Sequence, residues 1–141
     1  MNQKKELITV VAVINAPVRF VWKKWITPDD IIHWNHASDD WHSSKAENDL
    51  RTDGMFSYRM EAKDGSMGFD FAGRYIRIVP YELIEYSIGD GRNVKILFTV
   101  EKGKTVVTET FEAESIHSPE MQKAGWQSIL DNFKKYVESN A

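Results

Sequence analysis

The sequence changes its period near each end, and that change limits what it can build. From Phe56 onward apolar residues recur at every second position: Phe56, Tyr58 and Met60, then Ile84, Tyr86 and Ile88, then Val94, Ile96, Phe98 and Val100. Residues two apart share one face of a strand, so each run reads as a strand with an apolar and a wet face. Lys63-Asp64-Gly65-Ser66, Asp90-Gly91 and Lys102-Gly103-Lys104 separate the runs, and short glycine-containing links of this kind join antiparallel neighbours. Trp41 to Leu50 is polar enough for a sheet edge. Phe69 to Val79, ended by Pro80, and Thr105 to Ala113 complete six consecutive strands. The β-branched run Leu7 to Ile14 adds another at the front.

Helical spacing appears in three places. Trp126, Ile129, Leu130, Phe133 and Val137 form one apolar stripe behind Ser118-Pro119-Glu120, where Ser118 caps and Pro119 takes the first helical position. Lys134 falls on the wet side of that helix. Between the first two strands, Pro17 precedes the stripe Val18, Val21, Trp22 and Trp25. Thr27 can cap a second short helix, with Pro28 at its start and Ile31, Ile32 and Trp34 on its buried side. The order is strand, two short helices, six strands and one long helix. It predicts the α+β class, with an antiparallel sheet of about seven strands against the C-terminal helix.

A chain of 141 residues suits one domain, expected to span residues 1–141. Eighteen basic against 21 acidic residues give a net charge of −3 without a Lys/Arg cluster. No nucleic-acid footprint or anionic-membrane surface is therefore expected. The absence of cysteine removes disulfides, a thiol nucleophile and thiolate metal sites. No stretch approaches membrane-spanning length, and no apolar signal core follows Met1, so the expected location is cytoplasmic, without membrane insertion. Five Trp, five Tyr and seven Phe are more ring surface than a small core needs, and rings often line pockets.

Several short motifs narrow the reading: Thr27-Pro28-Asp29 with Trp34 behind it, and Asp49-Leu50-Arg51-Thr52-Asp53-Gly54-Met55-Phe56. They continue with Asp64-Gly65, Gly73 ahead of Ile78-Val79-Pro80, Tyr86, Thr105-Val106-Val107-Thr108 and Gly125-Trp126. As an ordered set, from Ile8 to Tyr136, they resemble the heat-shock-protein-90 ATPase activator homologue family of the START and Bet-v-1-like (SRPBCC) superfamily. The resemblance implies a helix-grip fold, a curved sheet wrapped around the C-terminal helix with an apolar cavity between them. Relatives across that superfamily bind lipids, polyketides or flavonoid-like molecules, and a few are cyclases. The sequence departs from the family pattern at Asp53, where a second glycine is usual, and at Glu109, where an apolar residue is usual.

No catalytic set is legible. His33, His36 and His42 match no zinc spacing, and His117 reads as a loop residue, so no metal or cofactor is expected. There is no glycine-rich phosphate loop and no serine in a nucleophile elbow. The expected ligand-binding residues are Trp34, Phe56, Tyr58, Met60, Phe69 and Phe71 in the first half of the chain. Tyr86, Ile88, Phe98, Glu109, Trp126 and Leu130 complete the set. For Glu109 two readings stand. Val107 and Phe111 share its parity and would turn it inward, whereas an inward Val106 would leave it in solvent. The expected function is non-covalent binding of a small hydrophobic or amphipathic ligand. The alternatives are a partner role in activating a chaperone ATPase, for which the sequence shows no extra partner-binding module, and a cyclase- or hydratase-type enzyme using Glu109, Tyr58 or Tyr86. The sequence carries no signal for an oligomeric state.

Overall fold

Every alternating run forms a strand paired antiparallel to its neighbour. In the computed structural model, which describes residues 6–89 and 91–141, the elements are β1 (Leu7–Ile14), α1 (Val18–Ile26), α2 (Pro28–Trp34), β2 (Trp41–Asn48) and β3 (Met55–Ala62). They continue with β4 (Gly68–Val79), β5 (Leu83–Ile88), β6 (Asn93–Glu101), β7 (Lys104–Glu112) and α3 (Pro119–Ser139). Asp90 of the expected Asp90-Gly91 turn, and the N-terminal residues 1–5, lie outside the described residues. The strands form one seven-stranded sheet in the order β1-β7-β6-β5-β4-β3-β2. Consecutive hairpins run from β2 to β7, and β1 returns to close against β7. The curled sheet with its long C-terminal helix is the helix-grip arrangement.

Local chemistry explains the joints. Lys102 and Gly103 both take positive φ, 51° and 80°, the backbone that a two-residue hairpin needs to match strand twist. Ser118 caps α3 through Oγ, which accepts from the Met121 N–H at 3.2 Å. Thr27 does not cap α2 as expected. Its hydroxyl donates backward to the Lys23 carbonyl at 2.6 Å and so finishes α1 instead.

The turn before β3 accounts for one departure from the family pattern. Asp53 sits at φ 67°, in the left-handed region where glycine is at ease and aspartate is tolerated. Gly54 has no alternative, because a Cβ there would lie 2.1 Å from the Asp49 carbonyl oxygen. Asp53→Gly is therefore expected to raise stability by about 0.5–1 kcal/mol, the exposed 4.0 Å contact with Arg74 contributing little. A lower urea midpoint than wild type would contradict this.

The helices sit on the concave face, toward its two edges. α2 packs on β2, α3 packs on β1, and α1 reaches β6 and β7. Trp25, Trp34 and Phe133 join the three helices at ring-centroid distances of 4.7–4.9 Å. Along the β1 edge, α3 supplies hydrogen bonds that a neighbouring strand would otherwise make. Gln127 Nε2 donates to the Val11 carbonyl at 3.1 Å, Lys134 Nζ to the Val13 carbonyl at 2.8 Å, and Glu138 accepts from the Asn15 N–H at 2.8 Å. Lys134 is thus no idle surface residue. Its amine leaves the wet side to satisfy a strand edge.

Candidate functional site

Because α3 lies over β1 and α2 over β2, the concave face of β3, β4 and β5 is left short of a covering element. Aromatic rings fill part of that gap, and the rest is a cavity of about 260 Å³, just below the roughly 300–1,000 Å³ usual for small-molecule pockets. Phe56, Tyr58 and Met60 enter it from alternate positions of β3, and Phe69, Phe71 and Tyr75 from β4. The one irregularity of the β4–β5 pairing falls between Tyr75 and Arg77, beyond these three, so their common parity survives. Phe69 is 50% exposed and still borders the cavity, which marks it as part of the rim.

The opposite wall is helical. Trp126 stacks on Phe111 of β7 at 3.9 Å between centroids and 11° between planes, and meets Phe71 edge-on at 6.1 Å. Ile129, three residues further along α3, continues that wall, while Trp25 and Trp34 close one end. Phe56 is the hub of the ring cluster, with Tyr58, Tyr75 and Tyr86 at 5.0, 5.2 and 4.8 Å.

The cavity wall includes nine of the expected residues: Trp34, Phe56, Tyr58, Met60, Phe69 and Phe71, together with Tyr86, Glu109 and Trp126. Ile88, Phe98 and Leu130 are buried but stand outside it. Phe98 meets Trp22 and Trp25 edge-on at 5.1 and 5.9 Å and belongs to the core under α1. Parity put it on the correct face, but α1 covers that level of β6. Leu130 is fully buried among core side chains, and the neighbouring Ile129 takes the wall position. Ile88 packs at the end of β5, where its strand partner is Gly73.

The wall residues that sequence reasoning passed over have different origins. Trp25 was in plain view, as part of the α1 stripe. Asn35 and Arg92 lie outside the regular elements, where no periodicity points at them. Asn35 follows α2, and its Nδ2 donates to Met60 Sδ at 3.2 Å. Arg92 precedes β6 and donates to the Glu112 carbonyl at 3.3 Å.

Glu109 settles on the inward reading. It is only 6% exposed, on the same face of β7 as Val107 and Phe111, both fully buried. Arg59, Arg74 and Arg77 do not reach it, and it has no hydrogen bond or ion pair with any described residue. Burial alone pushes its carboxyl up to about 8. The phenols around it move the same way. Tyr58 and Tyr86 are held well above the usual tyrosine range by burial, Tyr86 secondarily by the Glu109 charge, and Tyr75 is pushed up to about 12 by burial. Tyr75 donates its hydroxyl to Asn48 Oδ1 at 2.5 Å.

The three sequence histidines that invited a metal reading separate. His33 stacks on Tyr136 at 5.8 Å, His42 pairs with Glu61 at 3.5 Å, and the His36 Nδ1 is buried without a partner. Among the described residues no three His, Asp or Glu side chains converge as a metal site would require. No helix among them is long and apolar enough to cross a membrane.

Comparison with known proteins agrees with this fold. The family model described as activator of Hsp90 ATPase homolog 1-like protein matches residues 15–138. The solution structure of an AHSA1-like protein from Aeromonas hydrophila is 46% identical, with a TM-score of 0.91 over 96% of this chain and 94% of that one. Protein Chr148 from Cytophaga hutchinsonii is 47% identical, with a TM-score of 0.82 over 94% of this chain and 92% of that one. Protein CV1439 from Chromobacterium violaceum, at 23% identity and a TM-score of 0.83 over 94% and 96%, shares the fold. No curated protein matches the chain. With most of its length matched by the family model and close likeness to an AHSA1-like structure, the chain belongs to the activator of Hsp90 ATPase homolog 1-like family, within the SRPBCC/Bet v 1-like superfamily.

Proposed function

We propose that this protein binds a small hydrophobic or amphipathic molecule, of lipid, polyketide or flavonoid-like type, non-covalently in the cavity between sheet and α3. The observation that carries this reading is the cavity itself, a volume of about 260 Å³ walled by rings and aliphatic groups with few polar atoms. A ligand there is held by removal of its apolar surface from water and by ring stacking, while Glu109, Asn35 and the Arg92 side chain offer orientation.

Two observations favour binding over the alternatives. Glu109 acts on Tyr86 through its charge but makes no hydrogen bond to Tyr58, Tyr75 or Tyr86, so the hydrogen-bonded acid and phenol that proton-transfer chemistry would use are not assembled. A chaperone partner would need an apolar docking face. On the outer side of β1, Leu7, Val11 and Val13 are exposed and Val13 stands beside Val106, but they alternate with Thr9, and the rest of the facing β7 row is Thr108, Thr110 and Glu112. That surface is interrupted by hydroxyls and a carboxylate.

Ring-containing lipids, flavonoids and polyketides are expected to raise the melting temperature. A compound present at about 100 times its dissociation constant adds roughly 2.7 kcal/mol to the folded state. A broad panel that leaves the melting temperature unmoved would end the ligand-binding reading.

A further inference from the structure

The inner surface of the sheet is hydrocarbon along two successive rows, except at one carboxyl group and one phenol. Pairing across β1, β7, β6 and β5 aligns Val10, Glu109, Ile96 and Ile84 in one row. The next row holds Ile8, Phe111, Val94 and Tyr86. A carboxyl without a partner is a costly occupant of such a row, and a leucine or valine would pack there at no electrostatic cost. Glu109 is more than nine-tenths buried, unpartnered among the described residues, and on the cavity wall. Its polar atoms are therefore directed at whatever the cavity holds.

The groups facing that space select the chemistry of the occupant. Tyr58 comes from β3, Tyr75 from β4 and Tyr86 from β5, all neutral phenols. Arg92, ahead of β6, is the one cation among the described wall residues, and lies near enough to Tyr86 to act against the rise of its pKa. α3 contributes Trp126 and Ile129, α1 and α2 contribute Trp25 and Trp34, and β1 places Val10 beside Glu109, so these elements add no charge. A ligand ammonium would lose its water and share the cavity with Arg92. A ligand carboxylate would lose its water beside the Glu109 carboxyl, and Arg92 is already engaged, donating to the Glu112 carbonyl. A neutral compound with an acceptor oxygen meets neither penalty, and it gives the unpartnered carboxyl something to donate to.

Building on the ligand-binding reading above, we propose that Glu109 anchors the ligand as a neutral carboxylic acid, donating its O–H to the carbonyl oxygen of a ring-bearing ketone, quinone or lactone. The rings of Trp126, Phe71 and Phe56 cover the faces of that compound. Burial keeps the proton on Glu109 at neutral pH, with titration at about 8.

Calorimetric titration with three probes on one tricyclic frame tests the anchor: 9-fluorenone, which carries the carbonyl, fluorene, which lacks it, and 9-aminofluorene, which is basic. In the wild type at about pH 6, fluorenone should bind about tenfold tighter than fluorene, the difference one net hydrogen bond makes. At about pH 9.5, beyond the carboxyl's titration, that advantage should vanish. Glu109→Gln keeps a donor and should show the advantage at both pH values. Glu109→Leu should bind fluorene at least as well as wild type, which reports an intact cavity, and should not distinguish the ketone. A fluorenone preference that persists in Glu109→Leu, or a preference for 9-aminofluorene in the wild type, would overturn the anchor while the ligand-binding reading stands. Equal affinity for fluorene and fluorenone in the wild type would do the same. If none of the probes and no compound of the wider panel binds, the ligand-binding reading fails and the anchor goes with it.

Discussion

Glu109→Leu should be more stable than the wild type at every pH above about 4.5, by a margin that widens until about pH 8. The carboxyl titrates near 4.5 in an unfolded chain and at about 8 in the folded one, because burial penalises its charged form. Below both values it is protonated in either state and costs nothing through titration. Between them the unfolded chain releases its proton while the folded protein keeps its own, so stability is lost as pH climbs through this window. Beyond the folded value both states are ionised and the loss levels off. Each unit of difference is worth 1.36 kcal/mol, so the full loss is on the order of 5 kcal/mol, a large share of the roughly 5–15 kcal/mol that holds a typical domain together. Leucine removes the titration and suits a row of Val10, Ile96 and Ile84. Glu109→Gln should flatten the same slope but gain less, since its amide remains unpaired at a cost of about 1–3 kcal/mol. Urea unfolding of wild type and Glu109→Leu across this range provides the measurement. Parallel curves would show that the carboxyl is solvated in the folded protein.

Trp126→Ala should be the most damaging single truncation on α3 at the cavity wall. The indole lies flat on Phe111 at 3.9 Å and edge-on to Phe71 at 6.1 Å, so its loss strips a β7 ring and a β4 ring of their common partner. Truncating Trp in a core costs about 3–5 kcal/mol, and a position bordering a cavity should fall toward the lower end. The same change opens the cavity, so fluorene affinity should fall with stability. Lys135→Ala is the proper control, an exposed position expected to stay within about 0.5 kcal/mol. Lys134→Ala is not, because its amine holds the Val13 carbonyl. Chemical unfolding of the two variants decides it, and equal losses would mean that the buried stripe of α3 runs elsewhere.

The strands and their order were legible because hairpin turns and alternation are local signals. The alternation of β6 matches the sequence pattern at Val94, Ile96 and Phe98, all buried, and departs from it at Val100, which is 63% exposed where the strand runs out toward its hairpin. β7 resisted the same treatment. Val106 and Val107 are adjacent and both apolar, so either parity could be inward, and only pairing with β1 and β6 picks one. Phe98 and Leu130 illustrate a second limit. Alternation and helical spacing tell which face a residue occupies, but not which level of that face another element covers, and α1 covers the level of Phe98. Asn35 and Arg92 show a third. They lie between regular elements, where a position on the wall depends on the path of a loop and leaves no period behind.

The pairing of β1 with β7 has a kinetic consequence. Leu7 lies opposite Glu112, so the sheet is completed by joining segments from near the two ends of the chain, whereas β2 to β7 zip together through neighbouring hairpins. Closing so long a loop is entropically expensive before any contact rewards it, and domains dominated by such contacts fold in about milliseconds to seconds. α3 rests on β1, bonds to the Val11 and Val13 carbonyls along its edge and stacks Trp126 on Phe111 of β7, so its full docking surface exists only once β1 and β7 are joined. The helical wall of the cavity is thus expected to be completed last, on a hairpin array that already presents Phe56, Tyr58 and Tyr86. Unfolding should begin by the same route in reverse, with release of α3 and β1 exposing the cavity while the other six strands remain paired.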